Sequence, residues 1–378
     1  MTTLNINTII IIAIIIVLVQ LFLKSQNKKH IDHFTDFQSN CGSLPNLLGI
    51  VMKNRGMKED ANAGLFIPCS YDSCEKDVLA FENKDTGKKV FIIDGCDWIA
   101  SKLALWALLK EYFKEDASRY MPTTFLLEDK KDLKEFPEHF DKNKEKRPDQ
   151  MYVLKNYAQR QEGIKLSRDK DEIMNGLSDG WYLVQDYVYD PFLIDRRKIN
   201  FRYYMLVTCI DGVISGYLHQ DGFLYYTPEY YNEHDIGFDK HITTGYIDRK
   251  VYEKNPLTLE DFREHVDMIK KGNRELWDHS ANHLMSKVME AISKKICKNK
   301  KLQNHTRFQL FGCDLAPNST LTGAKLMEIN KGPDMDAKDE RDKKVKLKVQ
   351  EDIFKIVDPP EAEPKYNEIN NTRFIKIF

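Results

Sequence analysis

One feature near the start of the chain constrains its folding more than any other. Residues 4–23 form a run of twenty residues without a charged side chain, dominated by isoleucine, valine and leucine. A helix of about 20 residues spans the hydrocarbon core of a bilayer, roughly 30 Å. A buried core helix is one alternative, although such helices rarely contain so long a run of isoleucine and valine. A cleaved signal peptide is the other, and it needs a basic leader and a small-residue cleavage site, which this segment lacks. We therefore expect residues 4–23 to form a transmembrane helix.

The residues that flank this run predict its orientation. Lys24, Lys28 and Lys29 follow it, and no charged side chain precedes it. Basic flanks stay on the cytoplasmic side of a membrane. We therefore expect a single-pass membrane protein with an N-terminal anchor, whose large C-terminal part faces the cytosol.

The charge balance and the cysteines restrict the class of protein. Lys plus Arg number 57 and Asp plus Glu 58, and this net charge of −1 gives no global field to attract a nucleic acid, so none is expected as a partner. Apolar residues at 42% and charged residues at 30% are typical of a globular chain. The seven cysteines are few, odd in number and scattered, which argues against a disulfide framework. Cys69 and Cys74 lack a second pair at zinc spacing, so we interpret them as free thiols in a reducing compartment.

Further along the chain, short apolar strands alternate with amphipathic helices, which indicates an α/β or α+β class. Ser101–Lys114 has apolar residues near helical spacing, and Ser101 can cap this helix. Glu128–Asp149 holds fifteen charged residues in twenty-two, and is either a solvated helix or a loose linker, since Pro137 weakens the helix. A mainly helical stretch is expected over 258–300. Strands are expected at 89–94, 151–155, 181–188, 201–210, 308–316 and 325–330.

The last two strands flank a polar turn, 317–323, and are predicted to form a hairpin. If the turn is centred near Leu321, Asp314 and Glu328 lie opposite each other, and Glu328 shares one face with Asn330 because strand side chains alternate. Clustered carboxylates raise one another's pKa, and a hard divalent cation such as Mg²⁺ removes the conflict through its oxygen ligands. The alternative is that Asp314 merely ends a strand and Glu328 is exposed, because short acidic pairs of this kind are common.

Basic residues at two other strands suggest an anionic ligand. Lys155 ends an apolar strand and precedes a polar loop, where its ammonium can meet phosphate oxygens. In DRRKINFR, 195–202, the residues Lys198, Asn200 and Arg202 alternate, so in a strand all three point the same way. A partly buried arginine at position 202 needs an anionic partner such as a phosphate or a carboxylate. The alternative is a lysine and a basic edge that are simply solvated.

The strand end at 185–188 is a candidate contact for the base of a nucleotide. The backbone N–H and C=O groups there can contact the rim of an adenine base. An ordinary strand end is the alternative interpretation.

Five segments of the chain then follow one another in a recognisable order. The residues that carry the match are Lys102, Pro122 and Thr124; then Lys155, Gly163 and Ile164; then Gln185, Tyr187, Pro191, Lys198 and Arg202; then HITT at 241–244; and finally Asp314, Glu328 and Asn330, with DKKVK at 342–346 and Asp352 behind them. In this order they resemble the tubulin–tyrosine ligase-like family, whose catalytic domain has the ATP-grasp fold. The resemblance covers about two-thirds of the chain.

The resemblance implies an α+β protein, in which an ATP-grasp ligase domain is preceded by the N-terminal transmembrane helix. The implied parts are the helix at 4–23, a stalk at 24–45, an N-terminal α/β part of the ligase at 46–125, the ATP-grasp domain at 126–360 and a C-terminal tail at 361–378. It also implies a carboxylate–amine ligase. Mg-ATP phosphorylates a carboxylate, an amine attacks the resulting acyl phosphate, and an amide bond forms.

The same resemblance implies a role for each site residue. Arg202 is the catalytic residue, which stabilises the acyl phosphate or its acceptor. The implied ligands of Mg²⁺ are Asp314, Glu328 and Asn330; those of ATP are Lys102, Lys155, Gln185, Asp186, Tyr187, Val188, Lys198 and Asn200; and those of the second substrate are Arg202, Tyr225, Thr244 and Lys346. The implied partners are a free amino acid and a protein acceptor, either tubulin or another acidic protein tail.

Four positions depart from the family pattern. Asn200 stands where the family has an aspartate, Tyr225 where it usually has an arginine, and Thr244 where it has an asparagine, while Gln161 replaces a glycine of the phosphate loop. The residues implied to bind ATP and Mg²⁺, the nucleotide half of the site, are thus largely kept. The residues implied to bind the amino acid and its acceptor, the acceptor half, are altered. Either the second substrate differs or activity is reduced. The competing interpretation is a non-catalytic, membrane-tethered protein-binding module on a degenerate ATP-grasp fold.

Overall fold

The computed structural model describes residues 35–42, 44–68, 74–84, 87–156, 163–359 and 371–378. The predicted transmembrane helix at 4–23 lies outside these residues, as does most of the predicted stalk. Within the described ranges, no helix is both long enough and apolar enough to cross a bilayer. The anchor therefore stays a prediction, and so do the predicted domain boundaries.

The described residues form a mixture of helices and strands, as the sequence pattern predicted. The strands, in chain order, are β1 (Asp36–Ser39), β2 (Lys58–Glu59), β3 (Leu65–Ile67), β4 (Lys89–Val90), β5 (Thr124–Leu126), β6 (Tyr152–Lys155), β7 (Ile164–Ser167), β8 (Leu183–Asp186), β9 (Leu193–Ile194), β10 (Arg197–Ile210), β11 (Val213–Tyr226), β12 (Thr306–Pro317), β13 (Ala324–Asn330) and β14 (Phe374–Lys376). The helices are α1 (Asn46–Asn54), α2 (Cys74–Leu79), α3 (Cys96–Ala100), α4 (Lys102–Phe113), α5 (Ala117–Tyr120), α6 (Lys130–Lys146), α7 (Lys170–Met174), α8 (Phe238–His241), α9 (Val251–Lys254), α10 (Leu259–Ile269), α11 (Asn273–Ile292) and α12 (Glu340–Val357).

The longest strands lie at the centre of a large mixed sheet. β10 pairs antiparallel with β11 on one side and with β12 on the other. The far edge of β12 is shared, because its first residues pair parallel with β4 and its later residues pair antiparallel with β13. The sheet continues beyond β4 through β3, β1 and β2, and β14 pairs with β11. At one end of the sheet, β10, β12 and β13 therefore lie side by side in that order, with β12 between the other two.

Helices α10 and α11 cover one face of the central strands. Thr258 and Asp261 cap α10 reciprocally, which satisfies two N–H groups at the helix start. Trp277 of α11 lies with its ring centroid 4.4 Å from that of Phe201, and its indole N–H donates to the Tyr203 hydroxyl at 2.9 Å. Because side chains alternate along a strand, the predicted site residues of β10 point to the opposite face.

A second, four-stranded antiparallel sheet has the order β5-β8-β6-β7. Helices α6 and α7 cover one of its faces, where Phe136 and Phe140 pack with Tyr152 in a buried cluster. Alternation along β6 and β8 turns Lys155 and Gln185 to the other face. This other face carries the polar residues that contribute to the candidate site.

The charged segment 128–149 is a helix, so the linker interpretation is wrong. Asp129 caps α6 by accepting from the N–H groups of Lys131 and Asp132 at 2.8 and 3.0 Å. Phe136, on the face of this helix that packs against the sheet, is fully buried. Pro137 lies inside the helix and removes one hydrogen bond, but the buried aromatic face holds the helix against the sheet.

Two other local predictions have different outcomes. Ser101 caps α4 as predicted, and its hydroxyl accepts from the Ala104 N–H at 3.2 Å. The strand predicted at 89–94 is much shorter, since β4 contains only Lys89 and Val90. Ile93 leaves the ladder because its N–H donates to the side chain of Gln309 at 3.1 Å.

The number and scatter of the cysteines argued against a disulfide framework, but the structure contains disulfide bonds. Cys209, near the end of β10, and Cys297, shortly after α11, form a disulfide with their Cα atoms 6.2 Å apart, an ordinary separation for such a bond. Cys41 is also disulfide-bonded. Cys69 and the side chain of Cys74 lie outside the described residues. Cysteine spacing could not predict the first pair, because 88 residues separate its members.

Candidate active site

The predicted carboxylate hairpin is formed by β12 and β13. Asp314 lies opposite Glu328, as the sequence predicted for this turn, and Gly312 lies opposite Asn330. On its other side, Asp314 lies opposite Arg202 of β10. Three neighbouring strands thus bring one arginine and two carboxylates into a single row across the sheet.

Arg202 neutralises Asp314 within the fold. Its Nε donates to Oδ1 at 2.5 Å and its Nη2 to Oδ2 at 3.0 Å, which is a bidentate pair. A Cβ at Gly312 would lie 3.2 Å from the Arg202 Cδ atom, so this glycine gives the arginine room. The sequence suggested that both carboxylates lack a cationic partner. That is wrong for Asp314, because β10 lies beside β12 and brings Arg202 next to this carboxylate.

The surroundings shift the pKa values of the two carboxyl groups in opposite directions. Burial raises the pKa of Asp314 to about 6, a rise that Arg202 opposes and Glu328 strengthens. Burial would raise the pKa of Glu328 as well. The amide of Asn330, which donates to Oε1 at 3.0 Å, and the nearby positive charges of Arg202 and Lys155 outweigh burial and lower the pKa of Glu328 below its usual range. Glu328 therefore stays ionised to a lower pH than Asp314 does, and its charge is not paired with Arg202 by a hydrogen bond in the described part of the site.

Lys155 reaches the site from the small sheet. It is buried, and burial lowers its pKa to about 8, although the charges of Glu328 and Asp314 partly oppose this. Its Nζ donates to the Gln185 Oε1 at 2.7 Å, and the Gln185 amide donates to the Thr124 hydroxyl at 2.9 Å. These neutral partners hold the ammonium in position without cancelling its charge.

Lys198 occupies a similar environment on β10. Burial, with a smaller contribution from the charge of Lys155, lowers its pKa to about 7. Its Nζ donates to the Tyr187 hydroxyl at 3.1 Å, which in turn donates to His241 Nδ1 at 2.9 Å. His241 Nε2 donates to the Asp235 carbonyl at 2.7 Å, and this bond fixes the neutral tautomer of the ring.

The two lysines give the site a local excess of positive charge. Within the described ranges, neither Lys155 nor Lys198 forms a salt bridge, and each donates to a neutral oxygen. A buried ammonium without an anion is unfavourable. Near Lys155, Asp314 already pairs with Arg202 and Glu328 is the second carboxylate, whereas the charge that acts on Lys198 is that of Lys155. The residues present therefore fit a polyphosphate.

The donor set also fits a phosphate-bound Mg²⁺. Glu328 and the amide oxygen of Asn330 are hard oxygen donors, and Mg²⁺ commonly uses one or two carboxylates together with phosphates. Among the described residues, no group of three or more His, Cys, Asp and Glu side chains could hold a metal ion. The hairpin thus suits a metal that shares its coordination with a bound nucleotide.

Two predicted nucleotide contacts already have partners in the fold. The N–H of Asp186 donates to the Thr123 carbonyl at 2.8 Å, and the carboxylate of Asp186 accepts from His139 Nε2 at 2.8 Å. The N–H of Tyr187 donates to the Met151 carbonyl at 3.2 Å. These two N–H groups are therefore used within the sheet. Val188 follows β8 and is partly buried.

Lys102 begins α4 and lies on the side of the site next to the loop after β6. Its Nζ donates to the Asn156 carbonyl at 3.3 Å. The charges of Lys102 and Glu328 act on each other, and that of Lys102 lowers the pKa of Glu328. Lys102 therefore belongs to the same electrostatic neighbourhood as Lys155.

Tyr225 and Asn200 lie opposite each other on β11 and β10. The Tyr225 ring centroid is 5.3 Å from the Arg202 Cζ atom. Burial raises the pKa of Tyr225 to about 12, with Arg202 opposing the rise, so the phenol is neutral at physiological pH. Among the described residues, the buried Oδ1 of Asn200 has no hydrogen-bond partner. Tyr225 thus occupies space beside Arg202 without supplying a charge.

Thr244 and Lys346 are satisfied by their neighbours. The N–H of Thr244 donates to the Tyr226 carbonyl at 3.0 Å, and its hydroxyl accepts from the Tyr246 N–H at 3.0 Å. Lys346 Nζ donates to the Asp336 carbonyl at 2.6 Å and pairs with the Asp342 carboxylate at 3.3 Å. Both side chains therefore have partners within the fold.

The sequence reasoning missed His241, which orients Tyr187 and through it Lys198. A signal was available, because His241 is the first residue of the HITT segment. The resemblance drew attention to Thr244 in that segment. The geometry instead gives the histidine the closer connection to a charged site residue.

Comparison with known proteins shows which family this chain resembles. The model of the tubulin-tyrosine ligase family matches residues 82–366. The chain is 24% identical over 221 residues to tubulin glycylase 3B of Drosophila melanogaster, which covers 55% of this chain and 29% of that protein. It is 25% identical over 200 residues to the probable tubulin polyglutamylase TTLL9 of Rattus norvegicus, which covers 51% of this chain and 42% of that protein.

A third relative is tubulin polyglutamylase TTLL5 of Homo sapiens, 27% identical over 194 residues, with 46% of this chain and 15% of that protein covered. The chain thus matches less than half the length of each of these three relatives. The family match, by contrast, covers well over half of the chain and includes the small sheet, the central strands β10 to β12 of the large sheet and the carboxylate hairpin. The protein therefore belongs to the tubulin-tyrosine ligase family.

Proposed function

We propose that this protein is an ATP-dependent carboxylate–amine ligase with an ATP-grasp fold, which joins an amino acid to a protein acceptor. The observation that carries the proposal is the pair of buried lysines, Lys155 and Lys198, which donate to neutral oxygens and leave their charges for an anion. The triphosphate of ATP supplies that anion. Family membership and the names of the relatives, a glycylase and two polyglutamylases of tubulin, agree with amide-bond formation.

In this proposal each side chain has a defined task. Lys155 and Lys198 bind phosphate oxygens, and Gln185 and Tyr187 hold the two ammonium groups in place. Glu328 and Asn330 hold Mg²⁺, which when bound offsets charge on the phosphates. Arg202 lies in the same row as the carboxylates and stabilises the acyl phosphate or the acceptor carboxylate. Because Asp314 pairs with Arg202 in the structure described, its part in holding the metal requires this pair to loosen.

The second substrate and the acceptor follow from the same reasoning. A free amino acid provides the amine, and a protein carboxylate is activated as an acyl phosphate. The acceptor is tubulin or another protein with an acidic tail, by analogy with the relatives named above. The predicted membrane anchor at 4–23 would restrict the enzyme to acceptors near a membrane, with the ligase domain facing the cytosol.

The experiment uses the full chain purified in detergent. It is incubated with Mg-ATP, tubulin and each labelled amino acid in turn, and the transferred label is measured. Glu328→Gln should lower transfer by about a hundredfold or more, because it removes the charge that holds the metal. The matched control is Glu340→Gln, a substitution of the same kind at an exposed helix start. It should leave transfer unchanged.

Transfer that is equal in the Glu328 variant and the wild type contradicts the proposed site. If neither protein transfers any amino acid, the second candidate function is favoured, a non-catalytic membrane-tethered protein-binding module on a degenerate ATP-grasp fold. Tyr225 is the observation that favours it, since its ring fills space beside Arg202 with no charge for a carboxylate. That module binds its partner equally well with Glu328→Gln, and mass spectrometry finds no extended acceptor.

A further inference from the structure

The disulfide between Cys209 and Cys297 lies at the end of the central strands remote from the carboxylate hairpin. Cys209 is the penultimate residue of β10, seven residues beyond Arg202, and is 1% exposed. Cys297 is partly exposed and follows α11. The bond therefore links a buried strand to a segment that a solvent molecule can reach.

A buried arginine lies beside this bond. Arg307 of β12 is directly opposite Cys209 of β10, so their side chains leave the sheet on the same face. Its Nη1 donates to the carboxylate of Asp94, and the Asp94 carbonyl accepts from the Cys297 N–H at 3.0 Å. Asp94 thus connects the Arg307 guanidinium to the segment that carries Cys297, and the strand register puts Arg307 opposite Cys209.

The arginine has unused hydrogen-bonding capacity. Its side chain is fully buried, and among the described residues its Nε and Nη2 atoms have no hydrogen-bond partner. Two buried donors left without acceptors are unfavourable. A disulfide sulfur is a weak acceptor, whereas a thiolate is a strong one next to a guanidinium. The environment of this bond therefore favours its reduced form more than the environment of an ordinary structural disulfide does.

We propose that Cys209 and Cys297 form a reversible thiol–disulfide site, in which Arg307 stabilises the Cys209 thiolate. A small thiol such as glutathione, as its thiolate, attacks the sulfur of Cys297, the more exposed residue of the pair. The sulfur–sulfur bond breaks, and its electron pair leaves with Cys209 as a thiolate beside Arg307. A second thiol then attacks the mixed disulfide and releases Cys297, so that two molecules of thiol are oxidised to one disulfide and both cysteines are reduced.

Reduction has a structural consequence because the bond closes a long loop. The separation of 88 residues encloses β11 and helices α8 to α11. Opening it restores entropy to the unfolded chain, so the reduced protein unfolds at a lower temperature, by about 5 °C. The stability of the ligase domain therefore depends on the redox state of the compartment that it faces.

The test uses the full chain, purified in detergent without reductant. Samples are equilibrated in buffers of reduced and oxidised glutathione, trapped with an alkylating reagent and analysed as peptides by mass spectrometry. The linked Cys209–Cys297 peptide should be present in oxidised glutathione and lost in millimolar reduced glutathione without unfolding. Cys313 is a fully buried thiol and serves as the internal control, since its failure to react shows that the fold persists.

Two results overturn the reversible site. One is alkylation of both cysteines in protein that was never reduced and is still folded, because the bond then does not form. The other is a linked peptide that resists reduced glutathione until Cys313 also becomes reactive, because the disulfide is then purely structural.

Arg307→Lys tests the role of the arginine, since it keeps a positive charge but loses the unpartnered donors. At a fixed glutathione ratio, its disulfide fraction should exceed that of the wild type, with an equilibrium constant shifted about tenfold. Arg263→Lys is the matched control, another buried arginine paired with an aspartate, on a helix without a cysteine. An equal disulfide fraction in wild type and Arg307→Lys contradicts the claim that Arg307 stabilises the Cys209 thiolate. If Arg307→Lys does not fold, Asp94→Asn is used, which should lower the disulfide fraction.

Discussion

The buried cations of the candidate site fall into two groups that differ in what neutralises them. Lys155 and Lys198 donate to the oxygens of an amide and a phenol, and both have a pKa lowered by burial. Arg202 and Lys346 each pair with an aspartate inside the fold. The first group lies where the nucleotide is expected, and the second where the acceptor and the amino acid are expected.

This difference separates residues that folding explains from residues that it does not. A paired buried cation contributes to the fold with or without a ligand, so its presence says little about function. An unpaired buried ammonium destabilises the unliganded protein, and such a residue is more often found where a ligand completes its interactions. The nucleotide half of the site therefore carries the stronger functional signal, and the acceptor half the weaker one.

The largest expected effect comes from breaking the paired group. Arg202→Met leaves Asp314 and Glu328 facing each other in a buried environment without a guanidinium. The free energy of unfolding should fall by about 3–5 kcal/mol, measured by urea denaturation of the full chain in detergent. Double substitution of Arg202→Met with Asp314→Leu should restore much of this loss. A single variant as stable as the wild type means that the pair contributes nothing to the fold.

The next effect contrasts the two groups directly. Lys155→Met should raise the unfolding free energy of the unliganded protein by about 1 kcal/mol, because a buried charge without an anion is removed. It should also weaken ATP binding by about tenfold to a hundredfold. Lys346→Met should instead lower stability by about 2–3 kcal/mol, because Asp342 loses its partner. Thermal unfolding with and without ATP measures both quantities, and equal behaviour of the two variants contradicts the division into groups.

The pH dependence of stability sharpens the same contrast. The folded pKa of Lys198 is about 7, below its unfolded value, so the unfolded chain binds more protons between pH 7 and the ordinary lysine range. The stability of wild type relative to Lys198→Met should therefore rise with pH from about 7, by at most about 1.4 kcal/mol per pH unit. Affinity for ATP should fall over the same range, as the ammonium loses its proton. A stability difference that is constant from neutral to alkaline pH contradicts the burial of a charged lysine.

The smallest effect is expected on the acceptor side. Tyr225→Phe removes a neutral hydroxyl and keeps the ring beside Arg202, so ATP binding should change by about twofold or less. Tyr225→Arg restores the charge that the family usually has there, and should change which amino acid is transferred. Both are measured by calorimetric titration with ATP and by transfer of labelled amino acids. A large loss of ATP binding in Tyr225→Phe makes the tyrosine part of the nucleotide half.

The sequence predicted those parts of the fold that depend on local patterns. The Ser101 cap, the helix after it and the register of the β12–β13 hairpin all follow from spacing within a few residues. The helix at 128–149 stayed ambiguous, because the composition and Pro137 gave opposite indications and only the packing of Phe136 decides between them. The Cys209–Cys297 bond could not be predicted, since it depends on elements far apart in the chain.

The sequence predicted which residues share a face of one strand better than it predicted which residues of different strands contact one another. Alternation along one strand predicted that Lys198 and Arg202 share a face, but it could not predict the strand order. That order puts Arg202 beside Asp314 and so changes the electrostatic reason for the carboxylate pair. The bonds of Tyr187 to Lys198 and His241 likewise join residues from three segments, and no spacing rule connects them.

The most direct test of the central claim is a calorimetric titration of the full chain with ATP, with and without Mg²⁺. The wild type should bind one ATP, more tightly with Mg²⁺, and a Lys155→Met, Lys198→Met double variant that is still folded should lose this binding. The same titration with Lys301→Met, an exposed lysine paired with Glu82, should match the wild type. Equal ATP affinity in the wild type and the double variant would contradict the claim that these two buried ammonium groups form a phosphate site.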